Sequence, residues 1–336
     1  MTTELFFWNK HKPNNLTDIL HNGRNIAILN KISKKPSEIP HIYLTGLQTD
    51  FTTHISKLVI KKIYGKYEER DIKFVLTPSI TVTIKSSNYH YEFDMNYYKY
   101  MRRDIPLLII NKIVRYKNIS NNSYNIIVIQ NANHMTFSVQ AAFRRLMEQY
   151  TKSCRFFFTS KTGNGLIDAL RSRCLCLNFK KPEFSNYRQM LQDISSKEEL
   201  KIKDSIYEQI YENCEGVIDG INLLQLYSLN KDAIKYLRKY SPYNELMFYI
   251  RKGDIRYFNK IQTILFNLHS LDISYTDVIK KIIRNVIEDD SLDMKSKAEA
   301  THIAATSEWR CACSNRSIVG LNYFVGNLIK IYSKKI

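Results

Sequence analysis

Residues 126–174 read IIVIQNANHMTFSVQAAFRRLMEQYTKSCRFFFTSKTGNGLIDALRSRC. An apolar run, Ile126 to Ile129, passes through a polar loop into a segment where Val139, Ala142, Phe143, Leu146, Met147 and Tyr150 recur at helical spacing. A second apolar run follows over Arg155 to Ser160, with Phe156 to Phe158 at its centre. No hairpin signal separates the two runs. Strands joined through a helix pair in parallel, because a parallel pair needs a long crossover. The stretch therefore predicts a βαβ unit, with Thr136 or Ser138 capping its helix.

Toward the N-terminus, His41 to Thr45 (HIYLT) is a short apolar strand ending at Gly46 and a turn. Thr52 to Tyr64 carries Ile55, Leu58, Val59 and Ile63 at helical spacing, and Leu107 to Tyr116 is a further amphipathic helix candidate. Leu175 to Phe179 alternates as a strand. Beyond Lys180-Lys181-Pro182 the pattern is helical throughout, and Pro182 and Ser241-Pro242 are the breaks. These divide the chain into an α/β domain over 1–181, a small helical domain over 182–240 and a second helical domain over 241–336. No short-period repeat or low-complexity segment is visible.

The 336 residues suffice for two or three domains, and 44% hydrophobic with 24% charged residues is globular rather than disordered. A net charge of +18 favours polyanion partners, nucleic acid first, although the abundance of Lys, Asn and Ile also suits an AT-rich coding bias. Six cysteines without a secretory leader suggest a reducing compartment. Cys174 and Cys176 fall on one face of a strand and are expected in the core, while Cys311 and Cys313 sit in a helical stretch at a spacing that does not share a face. No histidine cluster accompanies either pair, so no metal site is expected. No apolar run reaches the ~18 residues of a membrane span, and the expectation is a soluble, intracellular protein with no membrane partner.

The quoted stretch resembles the second half of the ATPase core of clamp-loader small subunits, the replication factor C family of AAA+ proteins. Arg171-Ser172-Arg173-Cys174 resembles the family's Ser-Arg-Cys motif, and Arg144, Arg145, Met147 and Glu148 its Arg-Arg-x-Met-Glu helix, with Gln140 as the glutamine at the helix start. Trp8-Asn9-Lys10-His11-Lys12-Pro13 resembles the family's opening, and His41 to Gly46 its first core strand. Ser87-Asn88-Tyr89-His90, Glu308-Trp309-Arg310 and Leu321 to Val325 resemble one small-subunit type, called subunit 3 in human and subunit 5 in yeast nomenclature. The resemblance covers nearly the whole chain. It implies a fold that is α/β then all-α: a RecA-like AAA+ core (parallel sheet with helices), a three-helix lid and a C-terminal helical collar. It also implies the partners, namely other clamp-loader subunits in a hetero-oligomer, the sliding clamp and primer–template DNA, in a nucleus, a relict nucleus or a viral factory.

The sequence departs from the family where nucleotide is held. A phosphate-binding loop needs glycines for close backbone approach, a lysine for charge and a hydroxyl for magnesium. Here only Gly46 fits, Thr52 or Thr53 stands near the lysine position, and Asp50 adds negative charge. The acidic pair after the Ile126 strand is replaced by Gln130-Asn131-Ala132-Asn133-His134, in which Asn131 and Asn133 cannot serve as a general base. The polar sensor position holds Lys161, and the lid's sensor arginine aligns near Ile218. The expectation is a chain that is not an ATPase in its own right and binds no cofactor tightly. ATP and magnesium would lie at the neighbouring subunit's interface, where the resemblance makes Arg173 an arginine finger acting in trans. Taken alone, Arg171 and Arg173 would read as local salt bridges. Gln140, Arg144 and Arg145 would couple nucleotide to DNA, and Arg102, Arg103, Lys112, Arg115 and Lys161 are the candidates for phosphate contact. Two other readings stay open: an inert AAA+ scaffold in an alternative loader, and an active ATPase with an unorthodox loop.

Overall fold

In the computed structural model the described residues are 6–77, 80–98, 105–115, 124–231, 242–270, 275–313 and 317–333. The chain divides into two compact units, Met1–Lys231 and Asp232–Ile336.

The first unit is built on a seven-stranded sheet in the order β2-β3-β4-β5-β6-β1-β7. The strands are β1 (His41–Gly46), β2 (Arg70–Thr77), β3 (Ile80–Ser86), β4 (His90–Asp94), β5 (Asn125–Gln130), β6 (Cys154–Ser160) and β7 (Cys174–Phe179). From β4 to β7 all neighbours are parallel, while β2 and β3 add an antiparallel hairpin at one edge. The predicted βαβ unit is present: β5 and β6 pair in parallel, with Ile127 opposite Phe156, across helix α6 (Phe137–Gln149). Thr136 caps α6, its hydroxyl accepting from Val139 N–H at 3.4 Å.

Central parallel strands are covered on both faces, and so read as continuous apolar runs. On one face Ile127, Ile129, Phe156 and Phe158 pack with Ile109 and Ile110 of helix α5 (Ile105–Ile113) and with Phe143 and Met147 of α6. Phe143 meets Phe156 edge-on at 5.7 Å. On the other face helix α3 (Thr49–Tyr64) lies against β1, β5 and β6 and buries Ile55, Leu58, Val59 and Ile60. Each such side chain contributes about 1.5–3 kcal/mol by leaving water. The N-terminal segment adds α1 (Phe7–His11) and α2 (Gly23–Ile32). The C-terminal end of β7's free edge is capped by residues around α2, where the Asn25 and Asn22 side-chain amides donate to the Asn178 and Lys180 carbonyls at 2.7 and 2.9 Å. One expectation is corrected here: Cys174 is half-buried and Cys176 exposed, because β7 is an end strand with a neighbour on one side only.

Two short helices, α4 (Met95–Tyr98) and α7 (Asp168–Arg171), flank the sheet. Past Pro182 the same unit continues as α8 (Phe184–Lys197), α9 (Asp204–Asn213) and α10 (Val217–Leu229), around the fully buried Tyr187, whose hydroxyl lies 2.7 Å from Cys214 Sγ. The second unit is helical: α11 (Pro242–Arg251), α12 (Phe258–Ser270), α13 (Tyr275–Ile287), α14 (Met294–Cys313) and α15 (Ser317–Ser333). Leu246, Ile250, Leu265, Ile282, Phe324 and Leu328 form its core. Gly253 turns the chain out of α11 at φ +59, where a Cβ would fall 2.8 Å from the Ser333 amide nitrogen. Among the described residues no helix is long and apolar enough to cross a membrane.

Candidate functional site

In open α/β sheets ligands lie outside the carboxyl ends of the parallel strands. At that end of β1 the chain passes from Gly46 to the start of α3 at Thr49 through two residues, Leu47 and Gln48. There is thus no long loop whose amides could wrap a phosphate. Gly46 has no room for a Cβ, which would lie 3.0 Å from the Phe179 carbonyl oxygen and 3.1 Å from Thr52 Cγ2. Thr52 is fully buried and its hydroxyl donates to the Thr49 carbonyl at 2.9 Å. Thr53 pairs its hydroxyl with that of Thr159 on β6 at 3.2 Å. Both hydroxyls are committed inside the fold.

The space is filled from within. Gln48 reaches to the start of α10, where its Oε1 accepts from Ile218 N–H at 2.8 Å, and its side chain also bonds the Asp219 carboxyl. Gly216 lets Gln48 come close, since a Cβ there would sit 2.5 Å from Gln48 Cδ and displace the side chain. Phe51 is buried and stacks on His21 at 5.3 Å, with Trp8 at 6.2 Å. What remains between Gly46, Gln48, Phe51, Lys181 and Gly216 is a cavity of about 20 Å³, room for about one water. These residues do not fit a magnesium-bound triphosphate. On the far side of Phe51 a cavity of about 250 Å³ opens between Ile19, Leu20, Met190, Ile194 and Ile221.

The carboxylates missing from β5 have neighbours on β4. Asn131, at φ 53, donates from Nδ2 to Asp94 Oδ1 at 2.8 Å, and Gln130 Nε2 donates to Glu92 Oε2 at 3.2 Å. Asn133 is exposed and lies 3.2 Å from the His134 ring. Burial pushes the Asp50 carboxyl above its ordinary range, and Asp94 adds to this. The strand sequence His90-Tyr91-Glu92-Phe93-Asp94 puts three polar side chains on one face at period two, a signal that sequence reasoning passed over. Glu69, His90 and Glu92 converge closely enough to suggest a cation site. Lys57 already occupies it, 2.9 Å from Glu69 and 2.8 Å from Glu92. Burial alone would raise the Glu92 carboxyl, but the His90 hydrogen bond and the Lys57 ammonium outweigh it and hold it below its ordinary range.

Arg173 stands at the opposite end of the sheet. Cys174 pairs with His41 and Phe179 with Gly46, so Arg173, one residue before Cys174, lies six residue steps, roughly 20 Å at strand rise, from the β1–α3 turn along the sheet. Its side chain is partly exposed, with Nη1 donating to the Ala169 carbonyl at 2.7 Å and Nη2 paired with Glu148 Oε1 at 2.5 Å. Arg171 pairs with Asp168 at 3.1 Å. Both arginines therefore make the local salt bridges that their chemistry alone suggested. Arg144 lies 3.7 Å from the same Glu148, and Arg145 is exposed. Gln140 is buried and clamps the segment before Arg173: its Nε2 donates to the Met135 and Gly165 carbonyls, and its Oε1 accepts from Ile167 N–H at 2.7 Å.

Of the basic candidates, Lys112 and Arg115 are exposed at and just past the end of α5. Lys161 instead pairs with Glu215, before α10, at 3.8 Å. Arg102 and Arg103 lie outside the described residues.

No family model matches the sequence. Among curated proteins the chain is 25% identical to one named as a replication factor C small subunit of Acanthamoeba polyphaga mimivirus, over 97% of this chain and 91% of that one. It is 20% identical to replication factor C subunit 5 of Saccharomyces cerevisiae, over 95% and 97%. Among solved structures, the RuvB Holliday junction branch migration motor of Thermotoga maritima matches with a TM-score of 0.50 at 10% identity, over 87% of this chain and 85% of that one. The β4-to-β7 parallel sheet with its flanking helices, followed by a helical bundle, is the AAA+ architecture, and the sequence is homologous to replication-factor-C-like AAA+ proteins.

Proposed function

We propose that this chain is a non-hydrolysing subunit of a sliding-clamp loader, at the position held by the subunit 3 (human) or subunit 5 (yeast) type. Other loader subunits, the clamp and primer–template DNA are its partners, in the nucleus or an equivalent replication compartment. The observation that carries the reading is the pairing of a filled β1–α3 turn with an arginine at the other end of the same sheet. Gln48 and Phe51 take up the nucleotide's space, and Arg173 is too far from that space to act on anything bound there. A charge so placed is useful to a ligand held by another subunit. An arginine supplied in trans to a γ-phosphate is worth orders of magnitude in rate. ATP and magnesium would then belong to the neighbour's site. The second unit serves as the collar that holds the ring.

The test is co-expression with partner loader subunits, followed by clamp- and DNA-stimulated ATPase of the complex. Arg173→Ala should leave assembly intact and lower turnover about tenfold or more. Unchanged turnover in an intact complex defeats the finger. That outcome would favour a scaffold in an alternative loader, a reading to which the Arg173–Glu148 ion pair already lends support.

A further inference from the structure

The second unit carries a group of aromatic rings at its surface, of which Phe248 is exposed and Tyr249 and Tyr257 are half-buried, Tyr249 packing also against the core. Phe248 and Tyr249 on α11 lie 5.5 Å apart, and Tyr249 stacks on Tyr257, in the turn before α12, at 5.4 Å and 29°. Phe248 is 55% exposed and Ile255 beside the group is 77% exposed, whereas Leu246, Met247 and Ile250 on the same helix are buried. Two lysines sit over these rings. Lys252 Nζ is 4.5 Å from the Phe248 centroid and 4.7 Å from that of Tyr257, and Lys260 Nζ is 5.6 and 6.0 Å from Tyr249 and Tyr257.

The acidic residues nearby are largely answered. Asp254 pairs with Arg256 at 2.7 Å, and Asp289 with Arg251 at 2.8 Å. Glu245, one turn before Phe248, is the remaining carboxylate on α11. The face therefore presents rings and ammonium groups together, with a positive balance.

We infer that this face is a stacking platform for single-stranded nucleic acid, a site separate from the Lys112 and Arg115 surface of the first unit and independent of the role proposed for Arg173. Proteins that hold single strands combine aromatic faces for the bases with cations that follow the backbone. The energies favour exchange. An exposed ammonium over a ring is held more weakly than a base stacked on that ring. A base can displace Lys252 or Lys260 from its ring, and the freed ammonium then reaches the adjoining phosphate. Phe248, the exposed ring of the three, offers its face to a base, beside the half-buried Tyr249–Tyr257 stack. A duplex keeps its base faces stacked inside and gains only the charge.

The test uses the full-length chain with a fluorescent oligo(dT) and a hairpin duplex of equal charge, read by anisotropy. Phe248→Ala, an exposed change that spares the fold, should weaken oligo(dT) binding about fivefold or more and leave the duplex unchanged. Changing Lys252 and Lys260 together to Ala should reduce the slope of log affinity against log salt by about 0.7 per lysine. An oligonucleotide bearing 5-iodouracil should crosslink to Phe248, Tyr249 or Tyr257. Native affinity in Phe248→Ala, or crosslinks confined to residues of the first unit, overturns the proposal. So does loss of co-purifying loader subunits with oligo(dT) binding intact, which would make the face a protein interface.

Discussion

Replacing Gln48 by Ala tests the filled turn directly. The substitution removes the acceptor from Ile218 N–H, held at 2.8 Å in the first turn of α10. The residue before that helix, Gly216, has no side chain with which to cap the freed donor. Losing a cap costs about 0.5–2 kcal/mol, and an average hydrogen bond is worth about 1 kcal/mol. A destabilisation of about 1–2 kcal/mol follows. For a unit of this size it lowers Tm by about 2–8 °C, at about 2–4 °C per kcal/mol. Calorimetry of native and Q48A chains gives the shift. The second arm adds millimolar ATP and magnesium. A ligand at a hundred times its Kd stabilises by about 2.7 kcal/mol, and the native chain should show no such rise. A Tm unchanged within a degree in Q48A, or a rise of several degrees with nucleotide in the native chain, refutes the reasoning.

The histidines predict an acid transition. Burial pushes His21 and His41 down to about 4, with Arg155 contributing at His41, whose Nδ1 accepts from Phe156 N–H at 3.0 Å. The unfolded chain binds these protons near pH 6.5, so their contribution is complete above that value. It is lost as pH falls toward 4, on the order of 3 kcal/mol for each histidine; a Tm–pH profile should fall over this window, and less steeply in His41→Gln. Gly220→Ala places a Cβ 1.5 Å from the Tyr187 hydroxyl oxygen, which should cost about 3 kcal/mol and be visible by denaturant unfolding. Tyr187→Phe should restore little of it, since the ring carbon Cζ would still lie 2.5 Å away. Glu148→Gln breaks an ion pair whose members are both more than a third exposed, so Tm should move by less than the equivalent of about 1 kcal/mol. In the assembled complex its ATPase should match or exceed that of the native chain, the opposite of Arg173→Ala.

The β5–α6–β6 unit was legible because buried parallel strands are apolar on both faces and because Thr136 marks the helix start. The helix after β1 was legible from Ile55 onward, but it begins at Thr49 rather than Thr52, since Thr49 and Asp50 carry no apolar periodicity. The hairpin of β2 and β3 went unread. Its strands alternate charged residues and threonines with apolar ones on an edge, a pattern that also describes a solvated loop. The loss of glycines and lysine after Gly46 could be read directly from the residues. That Gln48 fills the gap could not, because its partner Ile218 is 170 positions away. Glu92 and Asp94 escaped notice for a related reason: sequence shows which residues follow β5, and only the sheet order shows that β4 lies beside it.

The asparagines beside β7 have a consequence for how this chain survives alone. A bare strand edge is a template on which further strands can polymerise. Asn22 and Asn25 cap the Lys180 and Asn178 carbonyls with side-chain amides, and the opposite border, β2, begins with Arg70 and Asp71 and carries Lys73. One border is thus capped at two carbonyls and the other carries charge. These devices oppose edge-to-edge pairing between copies of the chain, and changing Asn22 and Asn25 together to Ala should make it more prone to such pairing.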